Sequence, residues 1–317
     1  MDRLHSMRVF SRVIDEGGFA AAARALNLSP AVVTRLVADL EDHLGARLMN
    51  RTTRRLALTD AGELYLERVR LILAEVEEAE AQASASTSEP RGQLRVLAPP
   101  SFAVHQIAKY LPAFRAQYPR VGLELSASGP VETVDENYDL SIISVGDKPL
   151  DGDFVARRLA RSEVIMCAAP EYLAQHGYPD NPQDLAQHEV MIPRFAREAV
   201  FYKGAPGDAA RVEAVVSLDH SRAGLTTNYA DMIYAAALAG MGIASLPSYV
   251  VEDALLEHAL ERVLHQWHVR SQNIYVAMPT RKHVPARTRA FIDFLVTVFG
   301  GEDKDPWLLA AGCETQY

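Results

Sequence analysis

Residues 17–62 read GGFAAAARALNLSPAVVTRLVADLEDHLGARLMNRTTRRLALTDAG, and this stretch decides the fold of the N-terminal region. Gly17-Gly18 interrupts one helix, and Phe19 to Leu26 predicts a second, so rich in alanine that it can lie close to its neighbours. Asn27-Leu28 turns the chain. Ser29-Pro30 then opens a third helix: serine caps an orphan backbone N–H, and proline at the first helical position sacrifices no hydrogen bond. Val33, Leu36, Val37, Leu40 and Leu44 fall on its core face, and Ala31, Thr34, Arg35 and Ala38 on the other. A helix so slim on its outer face can press into a major groove. From Gly45 to Thr59, two short alternating segments flank a polar tip with Arg51, Arg54 and Arg55, which predicts a β-wing suited to phosphate or minor-groove contact.

Upstream, Leu4, Met7, Phe10, Val13 and Ile14 recur at helical spacing, so the unit starts with an amphipathic helix. The net charge of the whole chain is −9. Residues 1–60 nevertheless hold nine arginines and seven acids, a net of +2, which leaves −11 for residues 61–317. The basic end can face a polyanion while the acidic remainder stays clear of it.

Phe10, Val13, Gly17, Phe19, Ala22-Ala23-Arg24, Leu26, Ser29, Val33, Leu40-Glu41, Leu44-Gly45, Arg47-Leu48, Arg51, Arg54, Leu58-Thr59 and Ala61-Gly62 form a spaced pattern that resembles the N-terminus of the LysR family of transcriptional regulators. LNLSP and NRTTRRLALT look most like its CrgA-like branch. The resemblance implies a winged helix-turn-helix over residues 1–59. It assigns double-stranded DNA contacts to Ser29, Ala31, Val32, Thr34 and Arg35 in the third helix and to Arg51, Thr52, Arg54 and Arg55 in the wing. Ala31 and Thr34 stand where many members carry serine, a difference that bears on base preference.

Residues 60–92 read as a long linker helix and hinge. Thr59 can cap the helix, with Asp60 and Glu63 near its positive end. Tyr65, Val69, Ile72, Val76, Ala79 and Ala83 step by alternating fours and threes, the seam of a dimerising coiled coil; packing against its own domain is the competing reading. The resemblance favours a homodimer or homotetramer, and paired reading heads imply an interrupted palindromic operator. Ser84 to Gly92 is a polar hinge.

From residue 93 to 300, short apolar strands alternate with helices, the pattern of parallel α/β sheets. Tyr138-Asp139-Leu140, Ala239 to Ala244 with Leu246-Pro247, and Ala277-Met278-Pro279 resemble landmarks of the LysR effector domain. They imply a periplasmic-binding-protein-like fold of two Rossmann-like subdomains, about 93–161 with 270–300 and about 162–269, with a ligand cleft between them. Gly240-Met241-Gly242 by itself reads as a helix end turning into a strand.

Ligands in such sheets bind beyond the carboxyl ends of strands. Pro100, Ser101, Phe102, Ser128, Gly129, Ile143, Ser144, Pro193, Phe195, Thr227 and Asn228 are the candidate contacts for a small-molecule metabolite of unspecified identity. Helix starts at Ser101 and Asn228 would offer free N–H groups to an anion. Ile143 replaces a commonly basic position, which leans toward a less charged or aromatic effector. Residues 301–317 read as a flexible C-terminal tail with one short helical stretch around Trp307 to Ala311 and an exposed Cys313.

Other functions are disfavoured. No run approaches the length of a membrane span, and MDRLHSMRVF has no signal-peptide core, so a cytoplasmic site is expected. That argues against a transport solute-binding protein. No histidine falls in a HExxH motif and no GxSxG or Walker loop occurs, which argues against an enzyme. Cys167 and Cys313 are too few and too distant for a disulfide framework or metal cluster, and neither metal nor cofactor is expected.

Overall fold

The computed structural model describes residues 2–52, 55–83, 89–146, 149–193, 198–204, 211–217, 224–279 and 284–313, and the chain divides into two compact units between Glu89 and Pro90. In the first unit, α1 (Arg3–Asp15), α2 (Phe19–Ala25) and α3 (Pro30–Leu44) precede the antiparallel hairpin of β1 (Met49–Thr52) and β2 (Arg55–Leu58). Val9, Phe10, Val13, Ala22, Ala23, Val33, Val37 and Leu40 make its core with Leu48 and Met49 of the hairpin region. Leu44 is exposed rather than part of this core, because α3 ends there. Gly45 closes α3 in the left-handed region, at φ +63°, where a Cβ would be strained.

The linker helix α4 (Asp60–Ala83) follows. At 24 residues it is about 36 Å long. Tyr65 and Val69 correct the seam reading: the Tyr65 ring packs 5.9 Å from that of Phe10, and Val69 is fully buried inside this unit. The first turns of α4 therefore belong to their own domain. Ile72 and Ala79 are exposed and Val76 is half-buried. The side chain of Ala83 and the hinge residues 84–88 lie outside the described residues.

The second unit is built on one curled sheet of nine strands. Its strands are β3 (Gly92–Ala98), β4 (Val121–Ala127), β5 (Leu140–Val145), β6 (Phe154–Ala168), β7 (Val190–Pro193), β10 (Thr226–Thr227), β11 (Ile243–Pro247), β12 (Glu261–Val263) and β13 (Arg270–Pro279). The order is β10-β7-β11-β6-β13-β5-β3-β4, with β12 also paired to β6. A separate hairpin holds β8 (Glu198–Lys203) and β9 (Val212–Ser217).

The expected parallel sheets are only part of this arrangement. β3 runs parallel to β4 and β5, and β7 to β10 and β11, but β6 and β13 run antiparallel to their neighbours. These two long strands cross the whole unit. The end of β13 pairs with β5 on one side, and the end of β6 pairs with β11 on the other. They join two parallel lobes into one sheet.

Helices cover the sheet: α5 (Pro100–Phe102), a π turn (Ala103–Ile107) and α6 (Ala108–Gln117) in succession, then α7 (Pro170–His176), a 3-10 turn (Pro182–Gln187), α8 (Ala230–Leu238), α9 (Ser248–Leu256), α10 (Ala286–Phe299) and α11 (Pro306–Ala310). Two landmarks gain physical reasons. Asp139 accepts a hydrogen bond from Arg95 N at 2.8 Å and its own N–H donates to Arg95 O at 2.9 Å, extending the β3–β5 pairing by one residue. Gly240 turns at φ +75°, and a Cβ on Gly242 would overlap the backbone carbonyl of Glu189.

The C-terminal segment corrects the flexible-tail reading. Asp305 is buried and caps α11, accepting from Trp307 N at 3.1 Å and Leu308 N at 3.0 Å. Trp307 and Leu308 are buried in the main core, and Cys313 packs half-buried against it. Indole and leucine side chains gain too much from leaving water to stay loose beside an open apolar surface.

Candidate functional sites

In the first unit, Ser29 Oγ accepts from Val32 N at 3.3 Å, so its hydroxyl is engaged in capping α3. Thr34 Oγ1 donates to Pro30 O at 2.9 Å, which folds its hydroxyl onto the helix. Ala31 and Arg35 are exposed, and Val32 and Thr34 half-buried. Residues 51, 52 and 55 sit on the hairpin strands, with Thr52 opposite Arg55. Arg54 lies outside the described residues, as do the side chains of Arg51, Thr52 and Arg55.

The helix and the wing are joined by a residue the sequence reading used only as part of a motif. Glu41, buried near the end of α3, accepts from Leu48 N at 2.8 Å and Met49 N at 3.1 Å through one carboxylate oxygen. A buried carboxylate holding two successive N–H groups sets the height at which the wing leaves α3. Thr59 completes the joint: its Oγ1 donates to Arg47 O at 2.6 Å and accepts from Gly62 N at 3.0 Å. A Cβ at Gly62 would overlap the carbonyl of Leu48, so α4 starts against the wing's base.

The second unit brings some of the candidate effector residues together and removes others. Ser101, buried at the start of the helical run, donates from Oγ to Asp231 Oδ2 at 3.0 Å. Asp231 lies in the first turn of α8, which begins at Ala230 after a Tyr229 cap and not at Asn228. Its other oxygen is 2.8 Å from His105 Nε2, on the π turn. Ser144 donates to Gln272 Oε1 at 2.8 Å. Pro193 pairs with Thr227 at the carboxyl end of β7, and Thr227 Oγ1 accepts from Tyr229 N at 3.2 Å. Ser128, Gly129 and Asn228 are exposed loop residues, and Pro100 is half-buried. Phe195 lies outside the described residues.

Two assignments are corrected. Phe102 is buried among Tyr249, Phe299 and Trp307, with ring centroids 5.3, 5.4 and 6.1 Å away, so it is core rather than a ligand wall. Ile143 points to the opposite face of the sheet from Ser144, into a small cluster with Leu97, Val131 and Ala277. Strand side chains alternate, so neighbours in sequence cannot both face the cleft. His105, Asp231 and Gln272 bond to these candidates or to their partners, and the sequence reading did not name them. Asp231 had a faint signal, an acid in the first turn of a helix that follows a strand end; the others had none.

Elsewhere, His268 Nδ1 is 3.4 Å from Glu163 Oε2 in the second lobe, an ion-pair position. Among the described residues no cluster of His, Cys, Asp and Glu is placed to hold a metal ion, and no helix is long and apolar enough to cross a membrane. Burial pushes the Cys167 thiol up to about 12, far from a reactive thiolate at neutral pH.

Residues 4–63 match the family of bacterial regulatory helix-turn-helix proteins of the lysR type, and residues 87–300 match the LysR substrate binding domain. The chain belongs to the LysR family. An HTH-type transcriptional repressor of Pseudomonas aeruginosa is 34% identical over 300 residues, covering 94% of this chain and 93% of the relative. The HTH-type transcriptional regulator CrgA of Neisseria meningitidis is 32% identical over 296 residues, 93% of this chain and 96% of the relative. The solved CrgA structure aligns at TM-score 0.57 with 30% identity, covering 93% of this chain and 98% of CrgA. The Vibrio cholerae virulence activator AphB shares the fold at TM-score 0.57 and 24% identity, over 93% of this chain and 99% of its own. This LysR-family member is therefore a DNA-binding transcriptional regulator with an effector-binding domain, and not an enzyme.

Proposed function

We propose that this regulator acts in the cytoplasm as a homodimer or homotetramer on an interrupted palindromic operator, and that a small metabolite bound between its two α/β lobes controls it. The observation that carries the reading of the operator is α3. Ser29 and Pro30 start it cleanly, Val33, Val37 and Leu40 anchor it, and Ala31 and Arg35 stand exposed on its outer side. Glu41 ties that helix to the wing, so both would meet DNA as one body. Exposed Ile72 and Ala79, with half-buried Val76, continue an apolar seam beyond the part of α4 used by its own domain, which supports pairing through the outer half of the helix.

Support for the effector site is the meeting of strand and helix ends from both lobes. Ser101 follows β3 and bonds Asp231 in the first turn of α8, beyond β10, and Ser144 is the last residue but one of β5. Footprinting of the full chain on DNA upstream of its gene tests the operator: two protected half-sites, one helical turn or a multiple apart, are expected. A single protected block would defeat the paired reading. Ser101→Ala should weaken a metabolite found by thermal shift by about 0.5–1.5 kcal/mol for a neutral hydrogen bond, or about 1.5–3 kcal/mol for a charged one. Unaltered affinity would remove Ser101 from the site.

A further inference from the structure

A buried cation in the effector unit stands without a partner. Arg287 is 6% exposed, and its Nε is enclosed with no acceptor. Among the described residues no carboxylate lies within ion-pair distance of it. Beside it in sequence, Thr288 is 2% exposed and its Oγ1 also lacks a partner. Thr34 and Thr297 donate to the carbonyl four residues back, at 2.9 and 2.8 Å. Thr288 makes no such bond, and the carbonyl four residues before it, Val284 O, accepts instead from Arg289 Nη2 at 3.3 Å. Polar and charged groups are costly to bury unpaired, so both side chains point to a ligand that completes them.

Both residues belong to the first turn of α10, a helix of 14 residues. Pro285 precedes it and offers no capping side chain. The N–H groups of Ala286, Arg287 and Thr288 have no acceptor among the described residues; the first helical bond runs from Arg289 N to Pro285 O at 3.0 Å. Cα–Cβ bonds in a helix tilt toward its N-terminus, so the Thr288 hydroxyl, one atom beyond its Cβ, leans toward those N–H groups. Ala286 and Arg289 are exposed, which leaves one side of the turn open to solvent. Residues 280–289 read TRKHVPARTR, with four Arg or Lys and no acid. The chain arrives here from the end of β13 that lies where β5 begins: Ala277 pairs with Ser141, whereas Ile274 pairs with Ser144. The turn therefore follows the opposite end of β5 from Ser144 and the candidate cleft.

We propose that the first turn of α10 binds a small oxyanion of the phosphate class, held by the N–H groups of Ala286, Arg287 and Thr288, the Thr288 hydroxyl and the Arg287 guanidinium. The N–H groups stand at the positive end of the helix dipole, and the guanidinium adds a charge-assisted bond. A phosphoryl group brings three strong acceptor oxygens to these donors, where a carboxylate brings two. Inorganic phosphate and the phosphoryl group of a metabolite share this chemistry. The site is separate from the interlobe cleft and does not depend on it.

Calorimetric titration of the full-length protein with inorganic phosphate, phenyl phosphate and acetate, at one ionic strength set with chloride, tests this. The parent should bind phosphate or phenyl phosphate, and acetate at least about tenfold more weakly. Tighter binding of phenyl phosphate would assign the site to a phosphorylated metabolite, and tighter binding of phosphate to the free anion. Thr288→Val keeps the side-chain shape and removes the unpaired hydroxyl; Arg287→Met keeps the apolar stem and removes the charge. Without ligand each variant should melt no lower than the parent, because each loses a buried group that has no partner. Thr288→Val should weaken phosphate about fivefold and Arg287→Met at least about tenfold. Ser101→Ala should bind phosphate as the parent does, so failure of the cleft and failure of this site are distinguishable. No binding by the parent, equal binding of acetate, or unchanged affinity in both Thr288→Val and Arg287→Met would overturn the proposal. A lower melting temperature in both variants would also overturn it, since both groups would then have partners within the folded chain.

Discussion

The two units of this regulator are held together at different ranges of sequence. In the DNA-binding unit, the side-chain hydrogen bonds among the described residues are mostly local: Ser29 caps Val32 three residues on, Thr34 bonds Pro30 four back, Glu41 reaches Leu48 and Met49, and Thr59 reaches Arg47. Arg70 to Asp15, at 2.6 Å, reaches further along the chain. In the effector unit the polar contacts span the chain: Ser101 to Asp231, Gln106 to Tyr249, Glu163 to Asp305 and Ser144 to Gln272. Local contacts suit a rigid reader that must present one surface. Distant contacts suit a sensor whose lobes are joined by few strands, because a ligand that adds or breaks one of them acts on both lobes at once.

If that contrast is sound, removing a distant contact should cripple the sensor and spare the reader. Trp307→Ala should destabilise the effector unit by about 3–5 kcal/mol, through lost burial and a cavity beside Phe102, Tyr249 and Phe299. Urea unfolding should then show a separate early transition, with the DNA-binding unit unfolding as in the parent. A single shifted transition for the whole chain would break the comparison.

Asp305, which caps the helix carrying Trp307, probes the same C-terminal segment through pH. Burial, its first cause, and the charge of Glu163 push its carboxyl up to about 6, against hydrogen bonds from Ser248, Glu163 N and Leu308 N. A raised carboxyl favours the protonated folded state. Its contribution is therefore full below the unfolded value near 3.8 and lost as pH rises through about 6. The loss is on the order of 3 kcal/mol. Asp305→Asn should flatten that part of the stability profile of the effector unit; an unaltered slope would exclude Asp305 as its source.

Ile72→Asp places a carboxylate in the exposed half of the α4 seam and should lower the sedimenting mass and weaken two-half-site binding by about 2 kcal/mol. Parental mass and operator affinity would place the dimer contact elsewhere. Arg35→Ala, on an exposed position, should leave stability alone, cost about 1–3 kcal/mol on the specific site and relax base preference there. Equal losses on specific and random DNA would reduce Arg35 to a phosphate contact. The smallest effect is expected in the wing: Arg54→Ala with Arg55→Ala should weaken all sequences alike and flatten the salt dependence by about 0.9 per lost phosphate contact. An unchanged slope would detach the wing from DNA.

What could be read from sequence follows the same division. The caps at Ser29 and Thr59, the alternating wing and the core face through Val33, Val37 and Leu40 are written within a few residues of where they act, so periodicity and capping chemistry determined them. The LysR pattern extended that legibility to the order of strands and helices beyond residue 93. Tertiary structure alone decided which positions share a place. It turned Ile143 away from Ser144, drew Tyr65 and Val69 into their own domain, buried Trp307 and Leu308, and set Asp231 against Ser101 across 130 residues of chain. Hydrophobic periodicity records which side of an element is buried but not against what. A hydrogen bond between residues more than a hundred apart leaves no repeat in either segment, because each partner's spacing is set by its own helix or strand.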